Sequence, residues 1–433
     1  MRWQEYYKDR CITAQEAVEK IKSGDRVVMG HAVGEASALI DVMVKNKDRY
    51  RDVEIVHMVC MGKGEYCRPE MISHFRHNSL FVGGLARDAI FEGRGDFTPV
   101  HFSDIPGLFT DGYLPVDAAV IQVSPPDKHG YVSLGVSVDY GKALVQAAKL
   151  VIVQVNDQMP RTLGDTFVHV TDIDYFVELS YPIIELQPPV LTDVEKAIGE
   201  NCASLVEDGS TIQVGIGALP DAVILALRHK KDLGVHSEMI SDGVLDLIEA
   251  GVVTGKKKTL HKDKIVVSFL MGTKRLYDFA DDNPVFYMAP VDYVNNPVVV
   301  MKNYKMTGIN SCVQVDIMGQ VASESIGLKQ ISAAGGQVDF VRGANMAPGG
   351  KAIIAMPSTV GSGKMSKIVP FLDQGATVTT TRNDVHYVVT ENGIADLKGK
   401  TLRDRGRELI KIAHPNFKPQ LIEEWERRYH AKF

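Results

Sequence analysis

The stretch VEKAIGENCASLVEDGSTIQVGIGALP, residues 194–220, has the same layout as TAQEAVEKIKSGDRVVMGHAVG, residues 13–34. In each stretch, a helical pattern ends at a glycine, a predicted four-residue strand follows, and a second glycine comes directly after that strand. These glycines are Gly24 and Gly30 in the first stretch, and Gly209 and Gly215 in the second. A glycine past a helix is the usual left-handed stop, and a glycine after a strand lets the backbone approach a ligand. The match predicts two similar α/β domains in tandem, with chance similarity of two ordinary helix–strand units as the alternative.

Along the whole chain, short apolar runs alternate with amphipathic ones. The runs that indicate strands are Arg26–Met29, Val53–Met58, Ala118–Val123, Leu150–Val155, Thr211–Val214, Ile265–Leu270, Lys351–Met356, Ala376–Thr381 and His386–Thr390. The clearest helical patterns are Thr13–Lys22, Tyr140–Ala148 and Val194–Val206. Apolar strands that alternate with helices predict open α/β domains whose sheets are mostly parallel and covered on both faces.

Prolines cluster where the two domains should join. Pro182, Pro188 and Pro189 fall within Tyr181–Thr192, and clusters of this kind mark breaks between structural elements. We therefore predict an N-terminal domain over residues 1–185 and a C-terminal domain over residues 186–433. The 433 residues are enough for each domain to bury a core of its own.

Composition excludes several classes of protein. Hydrophobic residues make up 45% of the chain, which excludes intrinsic disorder. A net charge of −6 argues against a nucleic-acid partner, because such proteins usually present a basic face. The chain has no run of 18 apolar residues and begins with the charged segment MRWQEYYKDRC, so we expect neither a membrane span nor a secretory signal. A cytoplasmic protein is the resulting expectation.

The cysteines predict neither a disulfide framework nor a metal site. There are five, without a CxxC pair: Cys11, Cys60, Cys67, Cys202 and Cys312. His74 and His77 follow Cys67, but the spacing from Cys60 to Cys67 is too long for a zinc knuckle and no second pair follows. We interpret these residues as ordinary buried thiols and surface histidines in a reducing compartment.

Two glycine-rich segments resemble nucleotide-binding motifs without matching them. Residues 215–220, GIGALP, follow a strand but have Pro220 where a dinucleotide fingerprint needs its third glycine. This segment still fits a strand-end loop with exposed N–H groups. Residues 361–364, GSGK, end like a P-loop, yet Ser358 and Met365 replace the glycine and the hydroxyl residue of that motif. The GxSxG motif of serine hydrolases does not occur in the sequence.

Glu238 in GVHSEMISDG is the carboxylate best placed for chemistry. It follows the glycine loop by about twenty residues, with the helical stretch Asp221–Arg228 between them. A strand–helix–strand crossover brings successive strand ends to one sheet edge, where α/β sites form. The alternative is a surface or capping glutamate, which is the common situation for a single Glu.

These residues bring in a wider similarity that covers nearly the whole chain. The segments that carry it are FVGGLARDAIFEGRGDFTPVHFSDIP (Phe81–Pro106), SPPDKHGYVSLGVSVD (Ser124–Asp139), VGIGALP, GVHSEMISDG, AGGQVDFVRGA, KMSKIVP and VVTENGIADLKGKTLRDRGRELIKIAHPNF (Val388–Phe417). On these segments the chain resembles the acetyl-CoA hydrolase/transferase family of class I CoA-transferases, and within it the 4-hydroxybutyrate and butyrate CoA-transferases. The resemblance implies two open α/β domains with the site between them.

The resemblance also implies roles for individual residues. Glu238 corresponds to the catalytic glutamate, which attacks an acyl-CoA thioester and becomes a glutamyl-CoA thioester through a mixed anhydride. The loop expected to contact CoA and to supply oxyanion donors consists of Gly215, Ile216, Gly217, Ala218 and Leu219. The positions matched to CoA or acyl contacts are Asn295, Gly335, Gly336 and Lys364.

The implied activity is transfer of CoA between a short-chain acyl-CoA and a carboxylic acid such as acetate. CoA enters as a substrate, no tightly bound cofactor or metal is expected, and the family suggests a homodimer or larger assembly. An acyl-CoA hydrolase with the same residues and a non-catalytic acyl-CoA sensor remain as alternatives. The densest basic stretch could hold the CoA phosphates or could be a solvated loop; its lysines are Lys256, Lys257, Lys258, Lys262 and Lys264.

Overall fold

The computed structural model describes residues 2–433, which form two compact units. Unit 1 comprises Met1–Gln187 and Val266–Val294, and unit 2 comprises Pro188–Ile265 and Asn295–Phe433. The division near residue 187 lies close to the predicted junction. Unlike the predicted domains 1–185 and 186–433, unit 1 also takes in Val266–Val294.

The strands and helices follow one another throughout the chain. In chain order the strands are β1 Arg26–Met29, β2 Val53–His57, β3 Phe75–Ser79, β4 Gly95–Phe97, β5 Ala118–Val123, β6 Tyr131–Ser133, β7 Val151–Val155, β8 Phe167–His169, β9 Tyr175–Glu178, β10 Thr211–Val214, β11 Gly234–His236, β12 Met239–Ile240, β13 Ile265–Val267, β14 Phe269–Leu270, β15 Phe286–Met288, β16 Met306–Ser311, β17 Gln314–Asp316, β18 Val321–Ala322, β19 Ser325–Ile326, β20 Lys329–Gln330, β21 Lys351–Ala355, β22 Thr359–Val360, β23 Met365–Ser366, β24 Ile368–Val369, β25 Tyr387–Thr390 and β26 Gly393–Asp396. The helices are α1 Trp3–Arg10, α2 Ala14–Val18, α3 Ser37–Lys45, α4 Arg87–Phe91, α5 Ile105–Thr110, α6 Gly141–Ala147, α7 Asp193–Leu205, α8 Ala218–Ala226, α9 Asp242–Glu249, α10 Lys274–Ala280, α11 Val291–Val294, α12 Pro297–Val300, α13 Gln337–Met346, α14 Leu402–Ile412 and α15 Lys418–Tyr429.

Unit 1 is built on a parallel sheet with the strand order β4–β3–β2–β1–β5–β7–β9. Every residue of β5 and β7 is buried, as expected for strands covered on both faces. Burial of each large aliphatic side chain in such a core contributes about 1.5–3 kcal/mol to the free energy of unfolding.

Unit 2 contains the strand order β11–β10–β16–β21–β25–β26, in which only the last pair, β25 with β26, is antiparallel. Its first helix, α7, begins at a capping box in which Thr192 and Glu195 bond each other's backbone N–H groups. The predicted mostly parallel α/β architecture is therefore confirmed.

The two sheets share the order in which their strands are laid down. In unit 1, Val27 of β1 pairs with Ile55 on one side and Ala118 on the other. In unit 2, Ile212 of β10 pairs with Val235 on one side and Thr307 on the other. In both units the first strand is thus central, flanked by the next strand of the sheet in sequence and by a later one.

Gly24 and Gly209, which were predicted to end helices, lie instead in the turns that precede strands β1 and β10. Gly24 and Gly209 both have positive φ, 84° and 74°. They do not stop the helices, however, because α2 ends at Val18 and α7 at Leu205. The left-handed conformation instead turns the chain into β1 and β10.

Two strand predictions differ from the structure, and one central strand was not predicted. Ala376–Thr381 forms no strand, because Ser and Thr hydroxyls hold this segment: Thr377 N–H donates to Ser325 Oγ, and Thr379 Oγ1 donates to Glu324. The predicted strand Ile265–Leu270 divides into β13 and β14. The central strand β16, Met306–Ser311, was missed, since its sequence MTGINS lacks a continuous apolar run.

Several side chains proved more buried than their sequence context indicated. Of the five free cysteines, Cys67, Cys202 and Cys312 are buried as expected, whereas Cys11 and Cys60 are only half-buried. His74 and His77, expected at the surface, are only 7% and 3% exposed. Lys258, in the basic stretch, is 5% exposed and therefore unavailable to phosphates. Within residues 2–433, no helix is both long and apolar enough to cross a lipid bilayer.

Candidate active site

Glu238 lies at the carboxyl edge of the unit 2 sheet. It occupies the bend between β11 and β12 and is half-buried. The chain reaches it from β10 through the glycine loop and α8, which is the strand–loop–helix–strand crossover predicted from the sequence. Parallel strands end at a common edge, so the loops that follow β10, β11 and β16 are brought together there.

The register of β10 and β11 places Glu238 beside the glycine loop. Thr211 pairs with Gly234 and Ile212 with Val235. Continued past the strand ends, this register sets Gly215 opposite Glu238. A hydrogen bond supports this register beyond the strand ends: the Ser237 hydroxyl donates to the carbonyl oxygen of Val214 at 3.3 Å.

Asn295 and Gly336 meet the Glu238 carboxylate directly. The Asn295 side-chain amide donates to Glu238 Oε2 at 2.8 Å. A Cβ built on Gly336 would lie 2.0 Å from the same oxygen and 2.3 Å from Asn295 Nδ2. Only glycine fits at residue 336 while these two side chains keep their places.

The start of α13 adds a favourable electrostatic environment. Gly336 is the N-cap of this ten-residue helix, and Gly335 before it is buried with φ of 52°. A helix N-terminus carries partial positive charge and favours a nearby anion. Asn295 is fully buried, and its Oδ1 has no hydrogen-bond partner within the described chain. The group therefore presents an oriented carboxylate beside an amide with spare acceptor capacity.

The glycine loop leaves backbone open in front of α8. Ile216 is 41% exposed and Gly217 is exposed, whereas Leu219 is buried at 8%. Gly217 has φ of 108° and ψ of −179°, a conformation that strongly favours glycine, and it is the N-cap of α8. Ala218 begins the helix, so the first N–H groups of α8 are free of intrahelical partners.

Lys364 belongs to a different structural element from Glu238, Asn295 and Gly336. It occupies the exposed turn of the hairpin formed by β22 and β23, where its N–H donates to the Gly361 carbonyl at 3.3 Å. The contact with CoA implied for Lys364 stays a prediction.

A second carboxylate at the same sheet edge, Glu391, was not predicted from the sequence. Glu391 follows β25 and accepts from the N–H and the hydroxyl of Ser358, which lies shortly after β21. Lys367 donates to the Cys312 carbonyl at 2.9 Å, and burial lowers its pKa, with Glu391 opposing that shift. The signal that could have identified Glu391 is the one used for Glu238, a polar residue directly after an apolar strand.

Lys258 braces the strand that leads to Glu238. Its ammonium donates to the carbonyl oxygens of Val235 at 2.6 Å and Lys264 at 2.8 Å. Burial lowers the pKa of Lys258 to about 7. Val235 lies three positions before Glu238, so this lysine supports the backbone of the site rather than a ligand phosphate.

Comparisons with known proteins find relatives that match nearly the whole chain. Residues 1–185 match the acetyl-CoA hydrolase/transferase N-terminal domain, and residues 272–425 match the C-terminal domain of the same family. The chain is 64% identical to the 4-hydroxybutyrate coenzyme A transferase of Clostridium kluyveri, over 99% of this chain and 100% of that protein. It is 39% identical to the butyryl-CoA:acetate CoA-transferase of Anaerostipes caccae, over 99% and 98% of the two chains.

A solved structure shows the same fold. The crystal structure of the 4-hydroxybutyrate CoA-transferase of Porphyromonas gingivalis superposes with a TM-score of 0.86. The two chains are 43% identical, and the match covers 99% of this chain and 100% of the other.

Proposed function

The chain belongs to the acetyl-CoA hydrolase/transferase family, and we propose that it transfers CoA between a short-chain acyl-CoA and a carboxylic acid such as acetate. The acyl donors that we propose are 4-hydroxybutyryl-CoA and butyryl-CoA, the substrate classes named for the relatives. The observation that carries the proposal is the Glu238 carboxylate, held by Asn295 and facing a position where only glycine fits.

The first half of the reaction loads CoA onto the protein. A Glu238 oxygen attacks the thioester carbonyl, the C–S bond breaks, and CoA leaves as a thiolate, which gives an acyl-glutamyl anhydride. The thiolate then attacks the glutamyl carbonyl. This second attack releases the acyl group as a free carboxylate and leaves CoA on Glu238 as a thioester.

The second half runs the same steps in reverse with the acceptor acid. Acetate attacks the glutamyl thioester, CoA leaves as a thiolate, and the thiolate attacks the acetyl carbonyl of the new anhydride. Acetyl-CoA departs and the Glu238 carboxylate is restored. Thioester energy is conserved throughout, so the exchange uses neither ATP nor a bound cofactor.

Each step passes through a tetrahedral oxyanion that needs donors. Candidates are the Asn295 amide and the open N–H groups of the Gly215–Leu219 loop, since fixed backbone donors need little reorganisation as charge develops. One such donor is typically worth about 3–4 kcal/mol in a transition state. We further propose a homodimer or larger assembly, which light scattering can measure.

The proposal is tested by trapping the glutamyl thioester. Acyl-CoA followed by borohydride should reduce the thioester and inactivate the enzyme, whereas borohydride alone should not. Peptide mass mapping should place the modification on Glu238, and prior addition of acetate should protect the enzyme. Transfer without any covalent CoA adduct would defeat the mechanism.

The same experiment separates the alternative function that the family includes, acyl-CoA hydrolysis. In a hydrolase, water discharges the thioester, so free thiol accumulates from acyl-CoA without an acceptor acid and labelling is weak. In a transferase, CoA stays on Glu238 as the thioester, so acyl-CoA without an acceptor acid releases about one equivalent of carboxylate per site and no free thiol. A non-catalytic sensor would give neither label nor product.

A further inference from the structure

Unit 1 contains a cluster of metal-ligand side chains that the proposed CoA transfer does not use. Glu35, His57 and Cys60 each offer one ligand atom, and these atoms all lie within 4.8 Å of one another. Glu35 follows β1, His57 ends β2, and Cys60 lies three residues further on. They meet because β1 and β2 are adjacent parallel strands whose carboxyl ends share one edge.

We propose that Glu35, His57 and Cys60 bind one divalent cation of the zinc class. Imidazole, carboxylate and thiolate together suit a borderline-soft ion, and three protein ligands with water in the fourth position make a known type of zinc site. With carboxylate and thiolate ionised and imidazole neutral, Zn²⁺ gives a site without net charge. The proposal is independent of the proposed CoA transfer.

The orphaned nitrogen of His57 is the second observation that points to a ligand. His57 is fully buried, and its Nε2 has no hydrogen-bond partner of normal geometry among residues 2–433, although the Gly30 backbone is close enough to act on the pKa of the ring. This nitrogen is 3.8 Å from Glu35 Oε2. Leaving a buried polar atom unsatisfied is costly, and a cation between imidazole and carboxylate would satisfy both.

Tyr66 supplies the outer contact that metal-binding histidines usually have. Its hydroxyl lies 2.8 Å from His57 Nδ1 and also bonds Cys60. In one arrangement, the Tyr66 hydroxyl donates a hydrogen bond to the Cys60 sulfur and accepts one from the His57 Nδ1–H. The lone pair of the imidazole is then on Nε2. Such partners fix the tautomer of a ligating histidine.

The surrounding backbone and side chains fix the Glu35 carboxylate. Glu35 Oε1 accepts from the Ser37 hydroxyl at 2.6 Å, and Oε2 accepts from the Met61 N–H at 3.0 Å. A Cβ on Gly62 would lie 2.0 Å from Oε1, so glycine is needed for this close approach. Glu35 also has hydrogen bonds to the backbone of Gly62 and to the Cys60 thiol, and a bound cation would take the place of the thiol proton. Cys60 is only half-buried and offers a path for entry.

Cobalt(II) is the probe for the test, because its spectrum reports thiolate ligation. The untagged full-length protein is stripped with a chelator and titrated with CoCl₂, and Zn²⁺ is then added to displace the cobalt. We expect one cobalt per chain, a thiolate-to-cobalt charge-transfer band, and a rise in melting temperature that the chelator reverses.

Matched variants locate the site. Cys60→Ser should abolish the charge-transfer band, whereas Cys67→Ser, which alters a buried thiol seven residues away, should retain it. Tyr66→Phe should weaken cobalt binding by about 10–100-fold, as loss of an outer-shell partner does. No binding by the wild-type protein, or a band that survives Cys60→Ser, would overturn the proposal without bearing on CoA transfer.

Discussion

The carboxyl edges of the two parallel sheets carry different chemistry on the same strand order. In unit 2 the residue three positions after Val235 is Glu238, half-buried and bonded to Asn295. In unit 1 the position three after Ile55, the strand-order equivalent of Val235, is Met58, which is buried. The same strand order therefore gives each unit a carboxyl edge where side chains can meet, and the residues at that edge determine its chemistry.

The carboxylate that unit 1 does place at its edge has a different environment. Glu35 is 2% exposed and accepts from Ser37 and Met61, and burial raises its pKa. A carboxylate enclosed in this way is suited to hold a cation or the backbone, while a nucleophile needs room for substrate. Burial and hydrogen bonding, rather than fold, separate the two carboxylates.

The strongest test of this contrast replaces the nucleophile. Glu238→Ala should reduce CoA transfer by more than about 1,000-fold with an unchanged melting temperature. Glu238→Asp should lose about 100-fold, because withdrawal by one methylene misplaces the attack by ~1 Å. Glu200→Gln, on an exposed face of α7, is the matched control and should keep full turnover. Steady-state kinetics give the loss of CoA transfer, and thermal melts check that the fold is unchanged. A Glu238→Ala variant with wild-type activity would contradict the role of Glu238 as the nucleophile.

Gly336→Ala should have the next largest effect, about 100-fold on kcat. The new methyl would displace Glu238 or Asn295, since its position lies 2.0 Å from Oε2. The backbone at Gly336, with φ of −91°, accepts alanine, but the overlap with buried Asn295 should lower the free energy of unfolding by about 1–3 kcal/mol, so kcat is measured well below the melting temperature of the variant. Gly107→Ala in unit 1, where the nearest atom is 3.7 Å away, is the control. Equal kinetics for the two variants would separate Gly336 from the site.

Gly217→Val should lower kcat/KM by about 10-fold or more, because a β-branched residue at φ of 108° must move the N–H groups that open α8. The strain should also cost about 1–3 kcal/mol of stability. Melting temperature and turnover need to be measured on the same preparation. A stable and fully active Gly217→Val would remove the donor role from this loop.

The smallest expected effect on activity concerns the basic side chain that supports each edge. Val235 accepts from buried Lys258 in unit 2, and its equivalent Ile55 accepts from the ring of buried His77 in unit 1. The pKa of Lys258 is about 7 when folded, against an ordinary value of 10.5. Because the unfolded chain binds this proton more tightly, the free energy of unfolding should rise between those two pH values, by up to about 1.4 kcal/mol per pH unit.

Lys258→Met should flatten that rise, and Lys257→Met, its exposed neighbour, should leave it intact. The two tryptophans fall in different units, Trp3 in unit 1 and Trp425 in unit 2. Denaturant unfolding followed by fluorescence in a Trp3→Phe background therefore reports unit 2. An unchanged slope from pH 7 to pH 9 in Lys258→Met would show that this lysine is not the titrating group.

Sequence reasoning reached the parts of the fold that short-range patterns encode. Strands β1, β5 and β10 were predicted with their observed bounds because most residues of each are apolar or β-branched. β16 was not, since its place at the sheet centre depends on pairing with β10 and β21, which no local pattern expresses. Ala376–Thr381 failed for the opposite reason: it is rich in β-branched residues, but the Thr377 N–H donates to the Ser325 hydroxyl and the Thr379 hydroxyl to Glu324, in place of a strand ladder.

The candidate site divides in the same way. The crossover that delivers Glu238 could be predicted, and the resemblance supplied Asn295 and Gly336. The direct contact of these three residues could not be derived, because it depends on how the loops after different strands meet in space. Glu35 and His57 were missed as partners of Cys60, since their spacing fits no contiguous ligand motif.

The distance along the chain between Glu238 and its partners bears on how the protein folds. Glu238 and Asn295 are 57 positions apart, and β10 must pair with β16, which begins at Met306, before the unit 2 edge exists. Parallel pairing between distant segments is slow, whereas helices form from local contacts. A refolding chain should therefore regain its helical circular dichroism well before it regains CoA transfer, and a nascent chain should acquire activity only after the end of unit 2 has been synthesised.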